Sequence, residues 1–250
     1  MDDWLDDLRN ATAFLTRLPV RYPSGVMPPN FARAYRTFPV VGALIGGAVG
    51  LFYYGLRWTG VPDLAAVALA LGASALLTGA LHEDGLADVA DGFGGGREFA
   101  AKLAIMRDSR IGTYGVLILL VSFVTKASAL ASLPDNLVVA CLIATHALAR
   151  GVLPAMARSL PFARQDGLAA SAGQPDLATA ATAGAIALVV AWLALPWFTA
   201  LCAALLALAA AIGMARLAQR QIGGQTGDVL GAAEQVAETA ILVLLAAQFA

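Results

Sequence analysis

The residues whose types and spacing suit chemistry gather between His82 and Gly115. Asp84, Asp88 and Asp91 stand at i, i+4 and i+7, so at helical periodicity they fall within about 60° of one another on one face. Three carboxylates on one stripe repel unless something neutralises them. A hard divalent cation does so, and Mg²⁺ commonly combines one or two carboxylates with phosphate oxygens. A solvated acidic helix end would show the same residues, but this stripe continues an apolar run and leads into glycine. Gly92, Gly94, Gly95 and Gly96 surround Phe93; such a run lets backbone N–H groups approach a phosphate, or makes a hinge. No Lys-Ser or Lys-Thr follows at Walker A spacing, so that nucleotide fold is excluded. Next comes Arg107-Asp108-Ser109-Arg110. The planar fork of Arg110 suits phosphate and Asp108 adds another carboxylate, although the same residues could simply flank a membrane span or pair with each other.

Further ionisable groups lie inside apolar runs, where they mark functional sites by default. Lys126 falls in one run, His146 and Arg150 at i, i+4 in the next, and Glu234 and Glu238 at i, i+4 in the last. Arg150 is the better candidate for the site, His146 also reads as a satisfied core group, and Lys126 as a bundle pair. The two glutamates must meet something cationic. Asp228, at a helix start after Gly223-Gly224-Gln225-Thr226-Gly227, reads as an N-cap or as another metal ligand.

The elements that must hold these groups are membrane helices. The chain has 250 residues, is 59% hydrophobic and 13% charged, and its mean hydropathy is +0.74; this is the composition of an all-α, polytopic membrane protein with a single domain. A net charge of -1 gives no pull toward nucleic acid. Met1 is followed by Asp2, Asp3, Asp6 and Asp7, unlike a secretory signal. Cys141 and Cys202, both in apolar runs, read as core rather than as a disulfide or metal site. Residues 2–18 have the apolar spacing of an amphipathic helix, on the membrane surface or against the bundle. With a Pro-containing loop they form a cytoplasmic segment, residues 1–37, ahead of a transmembrane bundle, residues 38–250. Seven spans are expected at 38–56, 64–81, 112–133, 136–157, 177–195, 198–215 and 229–248, each near the roughly 20 residues a bilayer core requires; the tight Leu195-Pro196-Trp197 junction also admits helices five and six as one broken hairpin, and a six-span variant would move the C-terminal helix. With the N-terminus inside, thirteen of the sixteen Lys and Arg fall on the cytoplasmic side, Arg164 among them. The candidate chemistry then lies at the cytoplasmic rim.

From spacing alone, these residues describe a membrane enzyme handling phosphate esters with Mg²⁺. Three stretches carry a closer resemblance: His82-Glu83-Asp84-Gly85-Leu86-Ala87-Asp88 with Asp91-Gly92, Met106-Arg107-Asp108-Ser109-Arg110-Ile111-Gly112, and Gly227-Asp228-Val229-Leu230-Gly231-Ala232. Together with Thr16-Arg17-Leu18-Pro19 and Phe38-Pro39-Val40-Val41-Gly42, they resemble the cobalamin synthase family. The resemblance implies an Mg²⁺-dependent enzyme of the bacterial inner membrane, in which α-ribazole or its 5′-phosphate attacks adenosylcobinamide-GDP and GMP leaves. Carried onto this chain, it assigns metal ligation to Asp84, Asp88, Asp91 and Asp228, and proton transfer to His82, Glu83 or Asp108. It assigns substrate binding to Gly94, Gly95, Gly96, Arg107, Ser109, Arg110, Arg150, Glu234 and Glu238. The CDP-alcohol phosphotransferase pattern begins as Asp88-Val89-Ala90-Asp91-Gly92 does, but Gly95-Gly96 stand where it needs Ala-Arg, and Ile105, Ser109 and Thr113 occupy its later positions. An ion-coupled transporter using Lys126, His146, Arg150, Glu234 and Glu238 would need polar residues continuing to the external side, where the chain has almost none.

Overall fold

The structure, a computed structural model, describes residues 2–20 and 31–249. Arg21, Pro23, Pro28 and Pro29 of the expected loop lie outside the described residues. Helix α1 (Asp2–Leu15) has the predicted amphipathic character: Asp7, Ala11 and Leu15 are buried while Trp4 and Leu5 are exposed. Asp7 pins it by ion pairs to Arg33 (3.0 Å) and Arg36 (2.7 Å). Residues 31–37, expected as loop, are instead helical: α2 (Phe31–Ala34) and a 3₁₀ turn (Tyr35–Thr37) feed directly into α3 (Phe38–Trp58). No residue in this stretch breaks the helix, since Pro39 stands in the first turn, where its missing N–H costs nothing.

Among the described residues, six helices are long and apolar enough to cross a membrane, or up to seven if the bent pair of α4 (Asp63–Thr78) and α5 (Leu81–Gly95) is one span. The chain is thus a polytopic helical membrane protein. The second expected span, 64–81, stops short: Gly79 (φ 68°) and Ala80 (φ 54°) are both left-handed, and the axis turns by 91°. Left-handed backbone is rare for alanine, so the turn is held by its surroundings, which include the Arg17 N–H donating to Leu77 O at 2.7 Å. The bend frees α5 from the span and lays the aspartate stripe across one end of the bundle.

After α6 (Phe99–Ile105) come the core spans α7 (Thr113–Ala131) and α8 (Asp135–Gly151). Helix α8 packs most extensively against α3, because Gly42, Gly46 and Gly50 line one α3 face: a Cβ on Gly42 would collide with the His146 carbonyl, and one on Gly50 would stand 2.8 Å from Val139 Cα. Small residues at four-residue spacing let helix backbones touch in a bilayer, where packing rather than water drives association. Short helices α9 (Leu153–Ser159) and α10 (Leu168–Ala172) lead to α11 (Leu177–Ala194), α12 (Trp197–Ile222) and α13 (Gly227–Phe249). Helices α11 and α12 are separate, joined through Pro196, and α12 runs well past the expected end at residue 215.

Candidate active site

The site is assembled where α5 crosses the start of α13. Gly85 makes this possible: a Cβ there would stand 2.7 Å from Asp228 O and 3.0 Å from Asp228 Cα. Gly231 reciprocates, since its Cβ would be 3.2 Å from His82 Cα. The two glycines bring Asp84 and Asp88 beside Asp228, and His82 beside Glu234. Gly85→Leu is therefore expected to force the helices apart, costing about 3 kcal/mol of stability and the site's geometry with it; thermal unfolding and turnover of the same purified sample would both report the loss.

Asp228 is not the helix cap. Thr226 Oγ1 accepts from the Val229 N–H at 3.3 Å, which is the N-cap bond, and Asp228 instead faces Arg164, whose Nη2 donates to it at 3.2 Å. Arg164, in the sequence one cytoplasmic cation among many, is thereby brought to the candidate site. Its loop is fastened to the 223–226 turn by backbone hydrogen bonds (Ala163 N to Gln225 O, 2.9 Å; Gln225 N to Pro161 O, 2.8 Å). The buried Gln225 amide adds bonds to Ala157 O and Leu160 O. Arg164 Nη1 is buried with no hydrogen-bond partner among the described residues, a strong donor left to be met by an acceptor.

Two clefts meet at Asp84. One, of about 440 Å³, is polar: Glu83, Asp84, Asp88, Arg107, Asp108 and Ser109 line it, and one carboxylate oxygen of Glu83 is buried without a partner. The other, of about 240 Å³, is walled chiefly by aromatic and aliphatic side chains, Tyr35 among them, with His82, Asp84, Arg164 and Asp228 as its imidazole and charged groups. Half-buried Asp88 lies in the field of Asp84, Asp228 and Asp91, opposed by Arg164.

Several expected site residues are placed elsewhere. Asp91 caps α7: it accepts from the N–H groups of Gly112 (2.7 Å) and Gly115 (2.9 Å), so both its oxygens are occupied at a helix N-terminus, and it lines neither cleft. Gly94 and Gly95 complete α5 and Gly96 closes it, donating to Gly92 O at 3.1 Å. They form no phosphate cradle; side chains at Gly94 and Gly96 would meet the Tyr114 ring at 2.7 Å and the Lys102 backbone N at 2.8 Å. Their absence of side chains serves the packing of α5 on α6 and α7. Arg110 grips Asp108 through Nε (3.0 Å) and Nη2 (2.7 Å), and this bond holds the Asp108 carboxyl well below the usual carboxylate range. Arg107 pairs with Asp166. The Asp108 pairing matches the alternative already open in the sequence.

Arg150, Glu234 and Glu238 line neither cleft. They form a buried ionic layer in the bundle, pairing within it rather than facing either cleft. Arg150 Nη1 lies 2.6 Å from Glu234 Oε1, Lys126 Nζ lies 3.1 Å from Glu238 Oε1 and donates to Gln235 at 2.8 Å, and His146 Nδ1 is 2.8 Å from Arg150 Nη1. Two cations and two carboxylates balance when the histidines are neutral, the condition under which ions survive burial. His82 joins this layer to the apolar cleft, its Nδ1 lying 3.4 Å from Arg150 Nη2 and 3.6 Å from Glu234 Oε2.

The donor set bears on a metal. Among the described residues, the only trio of ligating atoms within 4.8 Å of one another is His146, Glu234 and Glu238, and Lys126 and Arg150 already neutralise it. Asp84, Asp88 and Asp228 stand further apart at the rim. Their donors are all oxygen, the chemistry that a hard cation takes, but they are too far apart to share one ion's shell without bridging water or a shift of the side chains.

No solved structure matches this chain. Proteins named Adenosylcobinamide-GDP ribazoletransferase do. That of Bradyrhizobium diazoefficiens is 51% identical over 243 residues, covering 96% of this chain and 93% of the relative. That of a Sinorhizobium species is 43% identical over 259 residues, covering 98% and 97%, and that of Azorhizobium caulinodans is 40% identical, covering 96% and 94%. The family described as Cobalamin-5-phosphate synthase matches residues 7–246. With a match over nearly the whole chain and half of its residues identical to a relative, the chain belongs to the cobalamin-5-phosphate synthase family.

Proposed function

We propose that this chain transfers the cobinamide phosphoryl group of adenosylcobinamide-GDP to α-ribazole or its 5′-phosphate, in a cytoplasm-facing site of a bacterial inner membrane. A ribose hydroxyl oxygen bonds to the cobinamide-bound phosphorus, the bond from that same phosphorus to the bridging oxygen breaks, and GMP leaves with the bridging oxygen while the hydroxyl proton passes to a base. The observation that carries this reading is the pair of clefts joined at Asp84, one with many charged groups and one largely apolar, which suits a charged diphosphate donor meeting an acceptor with an apolar aromatic base. Transfer of this kind needs positioning and charge stabilisation more than covalent chemistry from the protein. Mg²⁺ held by Asp84, Asp88 and Asp228 would supply charge neutralisation for the phosphates. Arg107 and the unpartnered Arg164 Nη1 add cationic donors.

His82 is the residue placed to take the hydroxyl proton. This role requires the tautomer whose Nδ1–H faces Glu234 Oε2 (3.6 Å), in place of the one in which Nδ1 accepts from Arg150 Nη2 (3.4 Å), so that Nε2 is the acceptor. His82→Gln is expected to lower kcat about 100-fold with substrate KM little changed; an unchanged kcat would move the role to Glu83. The reading as a whole is tested by metal removal. GMP release by purified protein should stop with EDTA and return with Mg²⁺, whereas full activity in chelator would remove the metal from the account.

A further inference from the structure

We propose that the apolar cleft is the acceptor pocket, taking the base of α-ribazole among Phe14, Tyr35 and Phe38 and presenting its ribose toward His82 and Asp84. This rests on the transferase reading above and adds to it which substrate goes where.

Size is the first argument. A cleft of about 240 Å³ admits one small aromatic group and excludes a corrin, so it cannot hold the bulk of the donor. The chemistry of its wall is the second. Phe14, Phe38, Leu81 and Leu153 offer no hydrogen-bonding side-chain group. The aromatic residues form one cluster, with ring centroids 6.0 Å apart for Phe14 and Phe38 and 4.5 Å for Tyr35 and Phe38. The donor's guanine carries N–H donors and a carbonyl around its edge, and those facing this apolar part of the wall would lose solvation, with only the few polar groups elsewhere in the cleft to replace it. The dimethylbenzimidazole of α-ribazole, joined to ribose through nitrogen, has no N–H on the base and two methyl groups on its outer edge. It suits burial against rings and aliphatic chains.

The polar groups supply the third argument. Besides the Tyr35 hydroxyl, the cleft carries an imidazole, His82, and the charged groups of Asp84, Arg164 and Asp228, and Asp84 also borders the polar cleft. A nucleoside bound by its base therefore places its ribose where the hydroxyl can meet the donor phosphorus and lose its proton to His82. Arg164 Nη1, buried and unpartnered, borders the same cleft and can meet a phosphate on the acceptor.

Leu168 sits in the cleft wall and is half exposed, so a larger side chain there fills the cleft without entering the core. Leu168→Trp is expected to raise the KM for α-ribazole about tenfold, while the KM for adenosylcobinamide-GDP and kcat at saturating acceptor stay within about twofold. Equilibrium dialysis of α-ribazole alone against the full-length protein in nanodiscs should show the same weakening. A raised donor KM, or no change in either KM, would overturn the assignment. The wild-type protein run alongside separates the two levels: if it releases no GMP, the transferase reading itself fails, whereas normal wild-type turnover with an unaltered Leu168→Trp acceptor KM removes the pocket assignment alone.

Discussion

Asp88→Asn is expected to lower GMP release by about 10³-fold or more while leaving the protein folded and inserted. Asp88 is half-buried, lines the polar cleft and stands among Asp84, Asp91 and Asp228 with Arg164 as the opposing charge. Asparagine keeps its shape and removes only the charge. In a purely structural cluster that change would relieve repulsion and cost nothing. In a site that gathers anions to hold a cation, it removes a ligand. Activity and stability should therefore part company: turnover falls while the thermal midpoint holds or rises. Both are measured on one purified sample, and an Asp88→Asn protein that still turns over at the wild-type rate would delete Asp88 from the ligand set.

The second large effect lies in the ionic layer. Arg150 is 1% exposed and Glu234 is fully buried. Arg150→Met leaves Glu234 as an uncompensated buried charge, with an expected cost of about 3–5 kcal/mol. Replacing both residues by Met removes the pair together and should recover most of that loss, because desolvation of both ions is avoided. Unfolding midpoints of the single and double variants in the same detergent give the coupling. The double variant also separates a bundle role from substrate contact: if Arg150 gripped the diphosphate, the donor KM would stay raised after stability returned. An Arg150→Met protein as stable as wild type would show that the layer is not what it is taken to be.

The helices were largely legible because bilayer length and apolar runs leave few alternatives, and the aspartate stripe because helical periodicity needs no tertiary information. The kink at Gly79-Ala80 was not: Ala80 adopts a left-handed conformation imposed by its surroundings, and alanine carries no turn signal. Residues 31–37 were read as loop through association with the prolines before them, although their own sequence is compatible with helix. Within the site, Asp84, Asp88 and Asp228 converge as their segments suggested. Asp91 differs because its partners are the backbone N–H groups of Gly112 and Gly115, 21 and 24 residues further along, and no local pattern announces a cap supplied from another helix. Arg164 was invisible for the same reason, since its position depends on a loop tied down by Gln225. The glutamates of α13 do meet cations, but which cations depends on how α13 packs against α7 and α8.

The most direct measurement supplies purified protein with adenosylcobinamide-GDP, labelled α-ribazole and Mg²⁺, and follows GMP and the label together. The account predicts that GMP appears only when α-ribazole is present and in equal amount to label incorporated into a cobalamin product. GMP release without incorporation, or no release from a folded sample, would contradict it.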